Sequence, residues 1–243
     1  MPHVKYSAAA AERYELVATL LADRAPVGAS VIELGAAPGE QSIALAKAGY
    51  QVTAVDIGEF SDEWEEAPEG TMVQRFGEAG VDLILWNLEQ TPYPLPDGSF
   101  DAVVMTEVFE HMRDYPVRSL EEAHRILKPG GYLFFTTPNA AYVRNRLQLL
   151  MGKNTASSLP DWIGGVPFAR HAREYTFSEA EELMRYAGFE IDLVTGRHLH
   201  INSGRDSKIA ALGKRLVDRA AQVRPSIGPA IVMVARRPVA QPF

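Results

Sequence analysis

A short apolar strand that ends on an acid, breaks into glycines and resumes as a helix constrains this chain more than any other stretch. Val31 to Ser42 reads VIELGAAPGEQS, with Glu33 closing the strand, Gly35 and Gly39 in the loop, and a helix expected from Gln41 to Ala48. Glycines let the backbone turn sharply and let a ligand lie against the main chain, while a helix start offers free N–H groups. A second apolar strand, Val52 to Asp56, also ends on an acid, at the distance a nucleoside-binding βαβ unit needs to bring a carboxylate beside a ribose diol. The pair predicts a nucleoside site on a mostly parallel sheet.

Which nucleoside follows from what the loop lacks. A dinucleotide fingerprint wants G-x-G-x-x-G, so that a pyrophosphate can sit on the helix N-terminus. Here the series is Gly35, Ala37, Gly39 after Glu33, and a carboxylate at the strand end repels a phosphate and suits a cation. A nicotinamide dehydrogenase is thereby disfavoured. The stretch resembles motif I of the class I S-adenosylmethionine-dependent methyltransferases, acid-x-G-x-G-x-G, with Ala37 where that pattern has its middle glycine. The resemblance implies that Glu33, Gly35, Ala36 and Gly39 hold the amino-acid end of S-adenosylmethionine and that Asp56 with Ile57 takes the ribose. The product would be S-adenosylhomocysteine.

The resemblance continues along the chain. Val81 to Trp86 reads as a strand, and Asn87 and Leu88 after it stand where the family reads the adenine ring. PDGSFDAVVMTEVFEH resembles the family's fourth-strand region, which places Thr106 near the cofactor. ILKPGGYLFFTTPN, Ile126 to Asn139, resembles the helix end, glycine turn and fifth strand. Physically, a helix stops there, Gly130 and Gly131 turn the chain, and a strand begins. Ser7 to Arg24 predicts an amphipathic helix, Phe177 to Gly188 a helix capped by Ser178, Phe189 to Thr195 a strand, Asp206 to Val223 a helix, and Ala230 to Ala235 a last strand. The expected fold is therefore an α/β, Rossmann-like, doubly wound sheet of seven mostly parallel strands with an antiparallel last strand. A single domain is expected, with residues 1–30 a helical cover, 31–139 the cofactor-binding core, 140–176 a lid and acceptor loop, and 177–243 the C-terminal part of the sheet.

Composition narrows the partners. The 243 residues are 47% hydrophobic, enough for one substantial core, and carry a net charge of −7 with a pI near 5.4, which argues against a nucleic-acid surface. Cysteine is absent, which excludes disulfides, thiolate chemistry and cysteine–zinc sites. No signal or membrane-spanning pattern precedes the core, and a cytoplasmic protein is expected. A homodimer is left open.

The chemistry is expected after the fourth strand. Glu107, Glu110 and His111 stand at i, i+3 and i+4, so a helix beginning at Glu107 would project all three from one face. Two converging carboxylates and an imidazole call for a positive charge between them, and a divalent metal, Mg2+ or Mn2+, is the candidate. His171, in PFARHAREYT at the end of the lid, could add a fourth ligand. E-x-x-E-H with a distant histidine resembles the metal site of the ubiquinone-biosynthesis O-methyltransferases and of the plant enzymes that methylate small RNAs. That resemblance implies Glu107, Glu110, His111 and His171 as ligands, gripping two adjacent acceptor hydroxyls. Without a metal, His111 or His171 would be the general base for a hydroxyl that is a poor nucleophile at neutral pH.

The lid holds Tyr142, Arg144, Asn145, Trp162 and Arg170, which with Asn139 suit a polyhydroxylated, small-molecule or oligosaccharide acceptor. His198, His200 and Asn202 alternate along HLHIN and could extend that wall. The tail HAREYTFSEAEELMRYAGF resembles methyltransferases of glycan and polysaccharide biosynthesis, so a sugar hydroxyl is the expected acceptor. Two other readings stand beside it: a metal-free methyltransferase acting on a phenol, quinone-type, carboxyl or carbon acceptor through His111, and a non-catalytic domain that binds S-adenosylmethionine to regulate a partner.

Overall fold

The computed structural model describes residues 6–58, 71–155, 159, 163, 171–199 and 208–239. Trp162, Arg170, His200 and Asn202 lie outside them, as does most of the acidic stretch after Gly58. Seven strands, β1 (Ser30–Leu34), β2 (Gln51–Asp56), β3 (Asp82–Leu85), β4 (Phe100–Thr106), β5 (Leu127–Pro138), β6 (Glu190–Arg197) and β7 (Ala230–Arg236), form one sheet in the order β3-β2-β1-β4-β5-β7-β6. The first five run parallel, and β7 inserts antiparallel between β5 and β6. From β1 the chain winds outward to β2 and β3, then returns to place β4 on the other side. That reversal opens a crevice beyond the carboxyl ends of β1 and β4, where ligands of such sheets bind.

Strict alternation along the strands divides the core. On one face Val31, Ala54, Ala102, Val104, Phe134 and Val234 meet Val17 and Leu21 of α1 (Tyr6–Ala22), Leu45 of α2 (Glu40–Lys47) and Phe76 of α3 (Met72–Ala79). On the other, Ile32, Val103, Met105, Leu133, Phe135, Ile231 and Met233 meet Leu120 and Ile126 of α4 (Val117–Ile126) and Met184 of a later helix, Phe177–Tyr186. Each of these valine, leucine, isoleucine, methionine and phenylalanine side chains, removed from water, contributes about 1.5–3 kcal/mol. Among the described residues no helix is long and apolar enough to cross a membrane.

Several elements depart from the sequence expectation, each for a local reason. Val143–Leu150 is a helix, α5, inside the supposed lid, without a buried residue and with no side-chain cap to mark its start. The later helix, α6 (Phe177–Tyr186), is capped by Thr176 rather than Ser178. Thr176 receives the Glu179 N–H and Glu179 reaches back to the Thr176 N–H, a reciprocal capping box. Strand β5 starts at Leu127, directly after α4, and the Lys128–Gly131 segment bulges out between the pairs Phe100–Leu127 and Ala102–Tyr132. No helix starts at Glu107: its backbone is left-handed at φ 56°, and only a short 3-10 turn follows, Phe109–His111. The last helix, α7 (Lys208–Val223), packs against β6.

Candidate active site

The glycine loop is built for close approach. Gly35 has φ 77°, and a Cβ there would lie 2.4 Å from Cγ2 of Val108; Gly39 has φ 105°, and a Cβ there would lie 2.5 Å from the Phe76 ring. Both positions therefore demand glycine. The Gly35 and Ala36 N–H groups donate to the Val55 carbonyl at 2.8 and 3.2 Å, folding the loop over the end of β2. Asp56 braces it from below, accepting the Ala37 N–H at 2.9 Å on one oxygen and the Gly58 N–H at 3.2 Å on the other. Each carboxylate oxygen keeps a lone pair beyond these bonds.

Glu33 is buried at the end of β1, and the Ser42 hydroxyl donates to it from α2. Burial pushes its carboxyl up to about 8, against the opposing effects of that hydroxyl and of the Arg13 charge from α1. A carboxyl poised in this way gains most from a cation. Ala36 lies buried in the same loop and Ile57 follows Asp56 at the strand end. The Asn87 side chain accepts the Glu89 N–H, and Leu88 is buried, its carbonyl receiving the Tyr93 and Ser119 hydroxyls. Leu88 thus sits as a core residue on this edge. Thr106 is buried at the end of β4, paired with Thr136.

Beyond β4, Glu107 and Glu110 are handled differently. The Glu107 N–H donates to the Thr136 carbonyl at 3.0 Å, and its Oε1 accepts the Thr136 hydroxyl at 2.8 Å. Glu110 is buried, with Oε2 accepting the Thr137 hydroxyl at 3.0 Å. Its Oε1 is also buried and has no hydrogen-bond partner among the described residues, His111 Nε2 being 4.0 Å away. Burial, reinforced by the Glu107 charge, drives the Glu110 carboxyl well above its ordinary value. The Glu110 carbonyl accepts the Ala172 and Arg173 N–H groups at 2.7 and 3.2 Å, which clamps the segment carrying His171 against the turn. Glu174 holds His171 Nδ1 at 2.8 Å. As a result, donor atoms of Glu110, His111 and His171 lie within 4.8 Å of one another. Glu107 stands outside that group: the left-handed backbone turns it toward Thr136 rather than onto a shared helix face.

The acceptor-side residues divide. Asn139 is almost fully buried, its amide donates to the Ser226 and Gly228 carbonyls at 3.0 and 2.7 Å, and its Oδ1 accepts the Ala141 N–H at 3.0 Å. Those bonds tie β5 to the approach of β7, so Asn139 is a brace rather than a wall residue. Asn145 donates to the Ala140 carbonyl at 3.3 Å, back onto its own loop. Arg144 is exposed on α5. Tyr142 is half-buried beside His198, with its hydroxyl 3.5 Å from His198 Nε2.

The methyltransferase domain profile matches residues 6–194. The chain belongs to the S-adenosylmethionine-dependent methyltransferases. A Mycolicibacterium smegmatis protein named as an S-adenosylmethionine-dependent methyltransferase is 32% identical over 184 residues, covering 76% of this chain and 60% of the relative. A ubiquinone biosynthesis O-methyltransferase from Xanthomonas axonopodis is 31% identical over 176 residues, covering 70% of this chain and 66% of the relative. The methyltransferase chain thus spans under two thirds of the length of these relatives. An S-adenosylmethionine-dependent methyltransferase structure from Thermotoga maritima shares the fold, with a TM-score of 0.58 and 22% identity over 95% of this chain and 90% of that one.

Four contributors to the methyltransferase site escaped the sequence reading: Ser42 on Glu33, Thr136 on Glu107, Thr137 on Glu110, and Glu174 on His171. Only the last leaves a local trace, an acid three residues beyond His171. The threonines are adjacent β5 residues, Thr136 paired with Thr106 at the end of β4, and such sheet register is encoded by no short-range pattern.

Proposed function

We propose that this methyltransferase transfers the methyl group of S-adenosylmethionine to one oxygen of an acceptor with two adjacent oxygens, assisted by a divalent cation held by Glu110, His111 and His171. The observation that carries this reading is the buried Glu110 Oε1, without a hydrogen-bond partner among the described residues and grouped with two imidazole nitrogens. A buried carboxylate oxygen left bare costs about 1–3 kcal/mol or more, and a cation removes that cost. One carboxylate and two imidazoles fit a divalent ion, and the imidazoles favour Mn2+ over the oxygen-loving Mg2+. When bound, such an ion supplies Lewis acidity that eases ionisation of an acceptor hydroxyl and a second point of attachment for its neighbour.

The chain's own residues do the rest. Thr137 orients Glu110 and Glu174 orients His171. Glu33 takes the charged amino-acid end of the cofactor, Asp56 with Ile57 the ribose, Asn87 the adenine edge, and the Gly35–Gly39 loop lets the donor lie against the backbone. Together they hold oxygen, methyl carbon and sulfur in line, from which much of the acceleration arises.

For the acceptor, the ubiquinone-biosynthesis names among the relatives favour a catechol-type ring. The internal commitments of Asn139 and Asn145 weaken the case for a sugar, which remains the second reading because a sugar also offers adjacent hydroxyls. The test is formation of S-adenosylhomocysteine from pyrocatechol, methyl glucoside and phenol, each with Mn2+ or with EDTA. Turnover of pyrocatechol that drops by about 100-fold or more in EDTA is expected. Equal turnover of phenol in EDTA would instead establish the metal-free reading with His111 as base.

A further inference from the structure

With His111 and His171 assigned to the cation, neither imidazole is available to accept the proton that an acceptor hydroxyl loses on methylation, and the neighbouring Glu107 carboxylate already receives the Thr136 hydroxyl. A separate hydrogen-bonded series lies on the same edge of the sheet. Pro138, the last residue of β5, pairs with Ala230 of β7, and Ala230 pairs with Arg197, the last residue of β6. The carboxyl ends of β5 and β6 therefore flank the start of β7 at one edge of the sheet, with the carboxyl end of β4 beside that of β5. Tyr142 leaves the first of them and His198 the second.

His198 Nδ1 is hydrogen-bonded to Oδ1 of Asp218 on α7, and His198 Nε2 lies 3.5 Å from the Tyr142 hydroxyl, with the two rings edge to face at 6.1 Å. A carboxylate can only accept, so in the neutral ring Nδ1 carries the hydrogen and Nε2 presents its lone pair to the tyrosine. Asp218 thus fixes the tautomer in which His198 can receive a proton. The charged groups that act on Tyr142 are Arg144 and Asp218, of opposite sign, and burial holds its hydroxyl protonated in the resting state.

We propose that Tyr142, His198 and Asp218 form the proton acceptor of the methyl transfer, a role that rests on the oxygen-acceptor reading given above. The acceptor oxygen forms its bond to the methyl carbon as the carbon–sulfur bond breaks and its electron pair returns to sulfur. The acceptor proton passes to the Tyr142 oxygen while the tyrosine proton passes to His198 Nε2. The products are the methyl ether, neutral S-adenosylhomocysteine and an imidazolium paired with the Asp218 carboxylate. Tyr142 is the catalytic residue in this scheme; His198 receives its proton, and Asp218 positions His198 and balances its charge.

Two measurements test it. Nitrogen-15 NMR of histidine-labelled, metal-free protein should show His198 as the Nδ1–H tautomer, with the Nε2 resonance perturbed by Tyr142→Phe and the tautomer preference lost in Asp218→Asn. An Nε2–H tautomer in the parent would overturn the relay whatever the acceptor. In steady-state kinetics with pyrocatechol and Mn2+, Tyr142→Phe and His198→Gln should lower kcat by about 100-fold, the scale of general base catalysis, and abolish the histidine limb of the pH–kcat profile. Affinity for S-adenosylhomocysteine should stay within threefold of the parent, which shows that the variants are folded. Variants that keep the parental kcat and pH profile would overturn the relay alone. A parent that methylates no oxygen acceptor would overturn the underlying reading and the relay with it.

Discussion

At the scale of single residues, Glu33 is the most informative group, because its burial sets its charge. With a carboxyl raised from 4.5 to about 8, the folded protein holds a proton there that the unfolded chain loses near pH 4.5. The associated stability is present in full below that lower value and is lost as pH rises toward 8, at most about 5 kcal/mol across the window. Cofactor-free protein should therefore melt at progressively lower temperature from pH 5 to pH 8, and Glu33→Gln should flatten that slope. The charged amino-acid end of the cofactor should expel the proton. Calorimetric binding of S-adenosylmethionine at pH 7 in buffers of different ionisation enthalpy should report release of most of one proton, and none in Glu33→Gln; equal heats in all buffers would contradict the assignment. The acids at the strand ends could be read from the sequence because a glycine loop after a buried strand leaves few other arrangements. The fates of Asn139 and Glu107 could not. One is decided by carbonyls of Ser226 and Gly228, far along the chain, the other by a left-handed backbone that the E-x-x-E-H spacing does not reveal.

Between elements, the glycine loop and the acid turn are mechanically joined. Gly35 faces Val108, which sits between Glu107 and Glu110, so a methyl group at Gly35 would press on the turn that carries Glu110 and His111, the proposed cation ligands. Gly35→Ala should weaken S-adenosylhomocysteine binding by about tenfold or more through strain at positive φ, and should weaken Mn2+ binding as well. Trimming the other partner, in Gly35→Ala with Val108→Ala, should recover part of the Mn2+ affinity, measured by electron paramagnetic resonance. Unchanged Mn2+ affinity in the single variant would show the two elements to be independent. The succession of strands and most helices along the chain could be anticipated because apolar runs and glycine stops survive in any context. Helix α5 could not, since none of its residues is buried and no side chain caps it. The arrival of His171 beside His111 likewise depends on two main-chain N–H groups docking on the Glu110 carbonyl, a pairing of distant backbone that side-chain patterns do not announce.

At the scale of the whole molecule, the two sides of the candidate site are built from strands of different sequence separation. The side that carries Glu33 and Asp56, the proposed donor side, is made from β1 and β2 with β4 parallel beside them. The side that carries Asn139 waits for β7, which must insert antiparallel between two strands separated in the chain by α5 and α6. Asn139 cannot be fixed until Ser226 and Gly228 reach it. Contacts of long sequence separation form late because loop closure precedes their reward. After dilution from denaturant, affinity for S-adenosylhomocysteine should return in an earlier phase than turnover, and simultaneous recovery would argue against this order. A molecule caught between those phases would be loaded before it could choose its recipient, so discrimination among acceptors is the last competence the newly made protein acquires.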